Sequence, residues 1–386
     1  MRRRGGGLPL GARAGVDRPG PAPAPRGRGR GVGAEGGRAA RAPDAPARSP
    51  RRADLDPRGC AAVNADERPP RPPWSDFKAA LRAAGFRPSR RLGQNFLLDE
   101  NMTRAIARDA AVGPGDFVLE VGPGCGFLSV HLAQLGVRLL AVELDPILAP
   151  IAAAFLAPYP SAEVIEADVL AGKHRLAPAI AARLPGAGPW HLVSNLPYSI
   201  GGPVLALLAA RSHPPDSMTV LIQLEVGERL AAEPGTRAWG PLSIAVQWAY
   251  AVRILRTVPA NLFWPRPAVE SAVVRMERRS DRAPARDRAR RQRVVARLFQ
   301  RRRQTLGRVV SDLLRDRRGA EALLAAIGLD SRRRAETLAL DELAALADSE
   351  ALAALDSPQD PSPDSRAPEP DEPEPRPSTP DRKKTS

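Results

Sequence analysis

The feature that most constrains the fold is a repeated alternation of short apolar segments with helix-forming segments, beginning at residue 117. The apolar segments predict strands at 117–121, 138–142, 163–167, 191–194, 218–224, 253–258 and 271–276. Helices are predicted at 76–84, 99–111, 127–135 and 146–155. This alternation indicates an α/β fold with a mostly parallel, doubly wound sheet of seven strands. Ligands of such sheets lie beyond the carboxyl ends of the strands, so residues at those ends are the candidates for a site.

The basic charge of the chain is concentrated in blocks. Of 386 residues, 58 are Lys or Arg and 43 are Asp or Glu, which gives a net charge of +15. Residues 1–73 contain 16 Arg and 7 acidic residues, whereas 278–334 contain 19 Arg and 6 acidic residues. The second block has apolar residues three and four positions apart, which predicts helices. A helical block of this charge indicates a polyanionic partner, most simply RNA or DNA.

The changes in composition predict four segments. Residues 1–73 are rich in Arg, Pro and Gly, and 351–386 in Pro and acidic residues, so both are predicted to be disordered. A catalytic domain is predicted at 74–278 and a helical, RNA-contacting domain at 279–350. Weak attraction of RNA, an upstream start of translation and a transit peptide are alternative interpretations of the first segment.

Composition also excludes several classes of protein. No run of about 18 apolar residues is present, so we expect no membrane span. The two cysteines, Cys60 and Cys125, cannot form a disulfide framework and suit a reducing compartment. The chain has only these two cysteines and four histidines, so almost no residues are available as ligands for a structural zinc site. We therefore expect a cytoplasmic protein without a metal.

The sequence at 120–126, Glu-Val-Gly-Pro-Gly-Cys-Gly, joins a predicted strand to a predicted helix. Glycines there let the backbone approach a ligand closely, and the helix N-terminus offers N–H groups. Gly122 and Gly124 after an acidic residue fit S-adenosylmethionine (SAM) better than the dinucleotide pattern, whose third glycine would fall at Phe127. Glu143 ends the next strand, where it could accept hydrogen bonds from ribose hydroxyls. Taken alone, the turn leaves a nucleotide ligand or no ligand as alternatives.

Another strand end is followed by Asn195-Leu196-Pro197-Tyr198. The exocyclic amine of a nucleobase is a poor nucleophile because its lone pair is delocalised into the ring. The side-chain oxygen of Asn195 and the carbonyl of Leu196 or Pro197 can draw that lone pair out of the ring plane, and Tyr198 offers a face for stacking a flipped base. The motif predicts methylation of a base amine, with an ordinary turn as the alternative. Asp168 is a candidate acceptor for an adenine amine, or else a helix N-cap.

These motifs resemble those of the ribosomal RNA adenine N6,N6-dimethyltransferases, which modify two adjacent adenosines near the 3′ end of small-subunit rRNA. The resemblance covers about 75–350, with matching segments at 92–97, 120–126, 142–145, 195–198, 223–230, 263–271, 298–306 and 334–338. It implies a Rossmann-like SAM-dependent methyltransferase domain followed by a small all-α domain. It further implies SAM as methyl donor and the precursor of the small ribosomal subunit as partner, and we expect a monomer.

The resemblance implies roles for individual residues. The SAM-binding positions are Asn95, Leu97, Gly122, Gly124, Glu143, Asp168 and Asn195. The catalytic positions are Asn195, Leu196, Pro197, Tyr198 and Phe263. The Phe263 ring is expected to pack on the target adenine opposite Tyr198, and Arg301, Arg302 and Arg303 to contact rRNA phosphates. Core packing of Phe263 and a solvated helix face for the arginines are the alternatives.

The sequence departs from the family pattern at a few positions. Gly201 and Gly202 stand where a hydroxyl side chain is usual, which predicts a looser start of the following helix. Trp239 replaces a tyrosine and Pro241 a basic residue. We expect these changes to weaken substrate positioning without removing a catalytic group.

Two further functions are alternatives. One is that of the related large-subunit rRNA adenine methylase, which confers macrolide resistance and shares the Asn-Leu-Pro-Tyr motif. The other is that of a non-catalytic ribosome-assembly factor. The segments at 301–306 and 334–338 favour the small-subunit family, and the complete motifs argue against lost catalysis.

Overall fold

A computed structural model describes residues 69–89, 91–172, 175–281 and 288–353. Most of the two segments predicted to be disordered, 1–73 and 351–386, lies outside the described residues. The predicted boundaries of the catalytic and helical domains stay predictions.

The strands form a large sheet and a small one. They are β1 (Phe96–Leu97), β2 (Phe117–Val121), β3 (Arg138–Glu143), β4 (Ala162–Glu166), β5 (Trp190–Asn195), β6 (Ser217–Gln223), β7 (Tyr250–Val258), β8 (Phe263–Trp264) and β9 (Ser271–Arg278). The large sheet has seven strands in the order β4-β3-β2-β5-β6-β9-β7. Its first five strands are parallel, and β9 pairs antiparallel with both β6 and β7. The predicted α/β fold with a mostly parallel seven-stranded sheet is therefore confirmed.

Helices cover both faces of the sheet. Those of the first part of the chain are α1 (Trp74–Ala83), α2 (Glu100–Asp109), α3 (Phe127–Gln134), α4 (Leu148–Leu156), α5 (Pro178–Ala181), α6 (Gly201–Ala209), α7 (Leu224–Leu230) and α8 (Pro241–Gln247). Along β2, Val118 packs into the apolar cluster that contains α2, α3 and α4, whereas Leu119 packs into the cluster on the opposite face. Both side chains are fully buried, which explains why the strand is a continuous apolar run rather than an alternating one.

The small sheet joins two segments that are distant in the sequence. Strands β1 and β8 are antiparallel, with Phe96 opposite Trp264 and Leu97 opposite Phe263. The backbone N–H of Leu98 extends the pairing by donating to the carbonyl of Leu262 at 2.9 Å. Two-residue strands are too short for a periodic pattern, so the sequence did not predict them.

The C-terminal part of the chain is helical, as predicted from its apolar spacing. Its helices are α9 (Arg288–Gln300), α10 (Leu306–Leu314), α11 (Arg317–Ala326), α12 (Leu340–Ala347) and α13 (Glu350–Ala353). Their apolar core also contains Trp239 and Ile244, and the indole N–H of Trp248 donates to the carbonyl of Leu340 at 3.3 Å. The helices therefore pack directly against the α8 region. Within the described ranges, no helix is both long and apolar enough to cross a membrane.

The arginines at 301–303 lie at a different kind of position from the one predicted. We expected them on a helix, but α9 ends at Gln300 and α10 begins at Leu306. Arg301, Arg302 and Arg303 form the intervening turn, and all three are exposed.

Candidate active site

A cavity lies at the carboxyl ends of the parallel strands, where a doubly wound sheet binds its ligand. It is lined by residues 92–97 before α2, by 120–124 at the end of β2, by 142–144 at the end of β3, by 167–170 after β4 and by 195–200 from the end of β5 onward. All of the sequence-predicted SAM positions therefore lie around one cavity, namely Asn95, Leu97, Gly122, Gly124, Glu143, Asp168 and Asn195.

The glycine turn between β2 and α3 has room for nothing larger than glycine at two positions. Gly122 and Gly124 have φ values of +69° and +61°. A Cβ on Gly122 would lie 2.8 Å from Cγ of Pro197, and one on Gly124 would lie 2.8 Å from Cε1 of Phe96. The turn is therefore packed against both the Asn-Leu-Pro-Tyr segment and β1, and it presents bare backbone to the cavity.

Glu143 is held in place by backbone N–H groups. The side chain is 5% exposed, and its two oxygens accept from the N–H of Gly124 at 2.8 Å and the N–H of Asp145 at 2.9 Å. Burial raises the pKa of this carboxyl above its usual value. The carboxylate thus joins the end of β3 to the glycine turn, and its remaining lone pairs are available to a ligand.

Glu120 is a second buried carboxyl beside the cavity. It is 1% exposed, and burial raises its pKa to about 8. Its Oε2 makes no hydrogen bond of good geometry among the described residues, although the hydroxyl of Ser129 lies close enough to act against the rise of the pKa. Because Glu120 lines the cavity, this oxygen can also accept a hydrogen bond from a ligand. Sequence reasoning used this residue only as the acid that precedes the glycine turn.

Asp168 is exposed and lies in the loop after β4. Its Oδ1 accepts from the backbone N–H of Leu170 at 2.8 Å, and the following helix, α5, begins only at Pro178. The alternative role of a helix N-cap is therefore wrong. The carboxyl instead closes a short turn at the rim of the cavity.

The side chain of Asn195 has a defined orientation. Asn195 ends β5, and its Nδ2 donates to the backbone carbonyl of Asn95 at 3.1 Å. Asn95 is itself held by a hydrogen bond from its Nδ2 to the carbonyl of Gly93 at 3.2 Å. With the nitrogen of the Asn195 amide engaged, the oxygen lies on the other side of the amide group and can accept. Asn95 was predicted to contact the cofactor, but its carbonyl contact with Asn195 was not anticipated.

The backbone after Asn195 leads directly into α6. The carbonyl of Pro197 accepts from the N–H groups of Ile200 and Gly201, both at 3.1 Å. Both lone pairs of that carbonyl are therefore used. The departure at Gly201 does not prevent the helix from starting, since α6 begins at this residue.

Tyr198 and Phe263 lie in different environments. Tyr198 is half-buried, its hydroxyl is 2.5 Å from Oγ of the fully buried Ser271, and burial raises its pKa. Phe263 is 4% exposed, packs in the core and does not line the cavity. This environment agrees with the alternative of core packing, and the stacking of Phe263 on adenine stays a prediction. Ser271 belongs to the segment 263–271 that carries the family resemblance, but the sequence predicted no function for it.

A second pair missed by sequence reasoning fixes the segment before β1. Nε2 of Gln94 donates to Oδ2 of Asp145 at 2.8 Å, and its Oε1 accepts from the backbone N–H of Ser89 at 2.7 Å. This pair ties the loop around residue 93 to the end of β3. The two residues belong to segments that carried the family resemblance, but nothing in either segment showed that they touch.

The basic turn after α9 is part of a larger cluster of arginines. Arg301 forms an ion pair with Asp312, whereas Arg302 and Arg303 line a surface depression together with Arg237 and Arg334. All four arginines of the depression are exposed. We refer to these four residues as the arginine cluster. Arg237 and Arg334 were not among the predicted RNA contacts.

The other departures from the family pattern affect packing. Trp239 is 1% exposed and belongs to the core shared with the C-terminal helices. Pro241 is the first residue of α8, where proline is favoured because its missing N–H is not needed. Within the described ranges, no group of three or more His, Cys, Asp or Glu residues is arranged to hold a metal ion.

The sheet, the glycine turn after β2, the acid after β3 and the Asn-Leu-Pro-Tyr segment after β5 together define a Rossmann-like methyltransferase. Comparison with known proteins narrows this class. Residues 85–350 match the family model described as ribosomal RNA adenine dimethylase. The chain belongs to this family and is a methyltransferase enzyme of that kind.

Individual relatives agree with this assignment. The chain is 38% identical over 275 residues to the ribosomal RNA small subunit methyltransferase A of Streptomyces griseus. The matched region covers 71% of this chain and 93% of the relative. It is 38% identical over 283 residues to the protein of the same name from Geobacillus kaustophilus, covering 72% and 95%.

Solved structures show the same architecture. The 23S rRNA methyltransferase ErmE is 26% identical with a TM-score of 0.50, covering 67% of this chain and 99% of its own. A dimethyladenosine transferase from Plasmodium falciparum has a TM-score of 0.55 at 19% identity, covering 65% and 95%. The second similarity concerns the fold alone.

Proposed function

We propose that this chain transfers methyl groups from SAM to the N6 amines of two adjacent adenosines near the 3′ end of small-subunit rRNA, two to each amine, during assembly of that subunit. Membership of the family and the names of the relatives support rRNA as the substrate. The observation that carries the proposal is the fixed amide of Asn195, whose Nδ2 donates to the carbonyl of Asn95 and leaves Oδ1 as an acceptor at the cavity.

The residues that line the cavity suit SAM. Gly122 and Gly124 let the backbone approach a ligand where a Cβ would clash. Glu143 offers lone pairs to ribose hydroxyls, and Oε2 of Glu120 can accept from a donor such as an amino group. When bound, SAM supplies an electrophilic methyl group carried on a sulfonium. We assign the contacts with it to Asn95, Leu97, Gly122, Gly124, Glu143, Asp168 and Asn195.

The chemistry expected of Asn195 follows from its orientation. The adenine amine has two hydrogens and becomes nucleophilic only when its nitrogen turns pyramidal. Asn195 Oδ1 accepts one hydrogen and the carbonyl of Leu196 accepts the other. The carbonyl of Pro197 is unsuited to this role because it already accepts from Ile200 and Gly201. Two acceptors on one side direct the lone pair to the other side, toward the methyl group.

No strong general base is required for this reaction. The amine becomes a cation on methylation, and it readily loses its proton to water. Tyr198 provides a face for stacking the flipped adenine, and its hydroxyl contact with Ser271 fixes the ring. A second transfer to the same amine uses only one of these acceptors, because a monomethylated amine carries a single hydrogen, which Asn195 can accept.

The large-subunit rRNA methylase is the second candidate function. Its support is the structural similarity to ErmE, at 26% identity over 67% of this chain. The two small-subunit relatives are more similar in sequence, at 38% identity over 71% and 72% of the chain. We therefore favour the small subunit. A non-catalytic assembly factor has no need for the oriented amide of Asn195.

The decisive experiment offers the purified protein and methyl-labelled SAM to small ribosomal subunits that lack the modification. The control substrate is free large-subunit rRNA. We expect label only in the small subunit, present as two adjacent dimethyladenosines by mass spectrometry. Label confined to the large-subunit rRNA would support the second candidate, and binding of subunits without any transfer would support an assembly factor.

A further inference from the structure

One exposed aromatic side chain beside the site has no role in the proposal above. Trp264 is 41% exposed, whereas Trp190 and Trp239 are fully buried. It follows Phe263 in the segment 263–267, of which only Phe263 was given a function. Tryptophan is enriched at binding interfaces because its ring offers a large apolar face and a polar N–H, so the position of this exposed indole in the fold is informative.

Trp264 lies on the outer side of the wall of the cavity. It pairs with Phe96 across the small sheet, and the two rings are 5.9 Å apart and inclined by 31°. Phe96 lines the cavity and lies against Gly124. The residue before Phe96 is Asn95, whose carbonyl holds the amide of Asn195. The side chain of Phe96 therefore separates the exposed indole from the glycine turn, and the strand that pairs with Trp264 directly follows the support of Asn195.

The substrate expected at this site presents unstacked bases. A flipped adenosine breaks the stack on both sides, so its neighbours expose their faces. Aromatic side chains are the usual partners of such bases, and a nearby cation strengthens the contact with the backbone. Arg266 is exposed in the same segment and supplies a positive charge.

We propose that Trp264 stacks on a base that flanks the target adenosine and so helps to position the rRNA strand. This inference rests on the proposed function, since it assumes an RNA substrate with a flipped base. It concerns a residue that contacts substrate outside the cavity, in addition to Tyr198 within it. The competing role for Trp264 is to cover Phe96 and thereby support the cofactor cavity.

The two roles predict different kinetic effects for Trp264→Ala. Loss of a stacking contact raises KM for small subunits about tenfold while kcat and SAM affinity stay within about twofold. Loss of a cover over Phe96 weakens SAM binding instead. Trp264→Phe keeps a stacking face, so its KM should be close to that of the wild type. Val269→Ala is the matched control, because Val269 is also exposed, at 47%, between β8 and β9.

An equal effect of Val269→Ala, or an unchanged KM in Trp264→Ala, would overturn the inference. So would a loss of SAM affinity that accounts for the whole defect.

A binding measurement separates failure of this inference from failure of the proposed function. A single-stranded oligoribonucleotide with two adjacent adenosines should quench tryptophan emission in the wild type. Trp264→Phe should bind it with similar affinity but lose most of the quenching, even if no methyl transfer to small subunits is observed. Equal quenching in both proteins would contradict the stacking role.

Discussion

Asn195 depends on a neighbour for the orientation on which its proposed chemistry rests. The amide is fixed by one contact, from its Nδ2 to the carbonyl of Asn95 at 3.1 Å. An aspartate at this position could not donate to that carbonyl, and its charged oxygens would face the carbonyl oxygen. The Asn95 carbonyl is therefore a positioning group, which acts on the substrate only through Asn195.

Asn195→Ala should reduce the rate of methyl transfer by about 100-fold or more, because one of the two acceptors for the amine is lost. Asn195→Asp should show a comparable loss, since its carboxylate cannot keep the amide's orientation. Single-turnover rates on small subunits measure the effect, and calorimetric titration with SAM is the control. We expect SAM affinity to change only a few-fold. A large loss of SAM affinity would show that Asn195 acts mainly in cofactor binding.

Glu120 should make the stability of the protein depend on pH. Its pKa rises from an ordinary value of 4.5 to about 8 in the folded state. Below pH 4.5 the carboxyl is protonated in both states. Between 4.5 and 8 the unfolded chain releases the proton while the folded chain keeps it, so the free energy of unfolding falls as pH rises. Above 8 the folded state also ionises and the fall ends.

Glu120→Gln should remove most of that fall, because glutamine stays neutral at every pH. Urea unfolding at pH 5, 6.5 and 8 provides the comparison, and the variant should exceed the wild type in stability at pH 8. Glu163→Gln, at an exposed position of β4, is the matched control and should keep the wild-type trend. If the free energy of unfolding of Glu120→Gln fell with pH as steeply as that of the wild type, the raised pKa of Glu120 would be contradicted.

The sequence predicted the residues of the site better than the contacts among them. Gly122, Glu143 and Asn195 were predictable because each directly follows or ends a strand, and parallel strands bring their ends together. The contact of Asn195 with Asn95 spans 100 positions, and that of Tyr198 with Ser271 spans 73. Pairings of this kind depend on the packed fold, and no local pattern records them.

At the level of elements, the glycine turn after β2 is the point at which three segments meet. Gly122 lies against Pro197 and Gly124 against Phe96. The strands of the large sheet were predictable because each is an apolar run of useful length. The pairing of β1 with β8 was not, because two residues carry no period. The small sheet nevertheless holds Phe96 against the turn, so a main wall of the site comes from elements that the sequence did not show.

Gly122→Ala should lower the free energy of unfolding by more than backbone strain alone would lower it. Both Gly122 and Gly85 have positive φ values, +69° and +62°, but a Cβ on Gly85 would meet nothing within 4 Å. Gly85→Ala therefore measures the backbone cost, about 1 to 2 kcal/mol. Gly122→Ala adds the overlap with Pro197 and should cost about 2 to 5 kcal/mol in total. Urea unfolding measures both variants, and equal losses would show that the close approach to Pro197 relaxes freely.

For the whole molecule, acidic and basic residues are concentrated in different places. The cavity contains the buried acids Glu120 and Glu143, whereas the arginine cluster combines residues from the loop before α8, the turn after α9 and the segment before α12. Sequence composition located the basic block but assigned its arginines to a helix face. It did not include Arg237, because that residue lies well before the block. The fold brings it there through the packing of Trp239 with the C-terminal helices and through a backbone hydrogen bond from Gly235 to the carbonyl of Glu336 at 2.7 Å.

The arginine cluster predicts a specific change in the salt dependence of RNA binding. Each phosphate contact releases bound counterions, so log affinity falls as log salt concentration rises. Removal of two contacts should make this fall shallower, reducing the magnitude of its slope by about 1 to 2. We expect this for the double variant Arg302→Gln with Arg303→Gln, which leaves the ion pair of Arg301 with Asp312 intact. The double variant Arg317→Gln with Arg318→Gln removes the same charge from another exposed part of the helical region and should keep the wild-type slope. Equal slopes for the two double variants, measured on small subunits between 50 and 200 mM salt, would mean that net charge alone attracts the RNA.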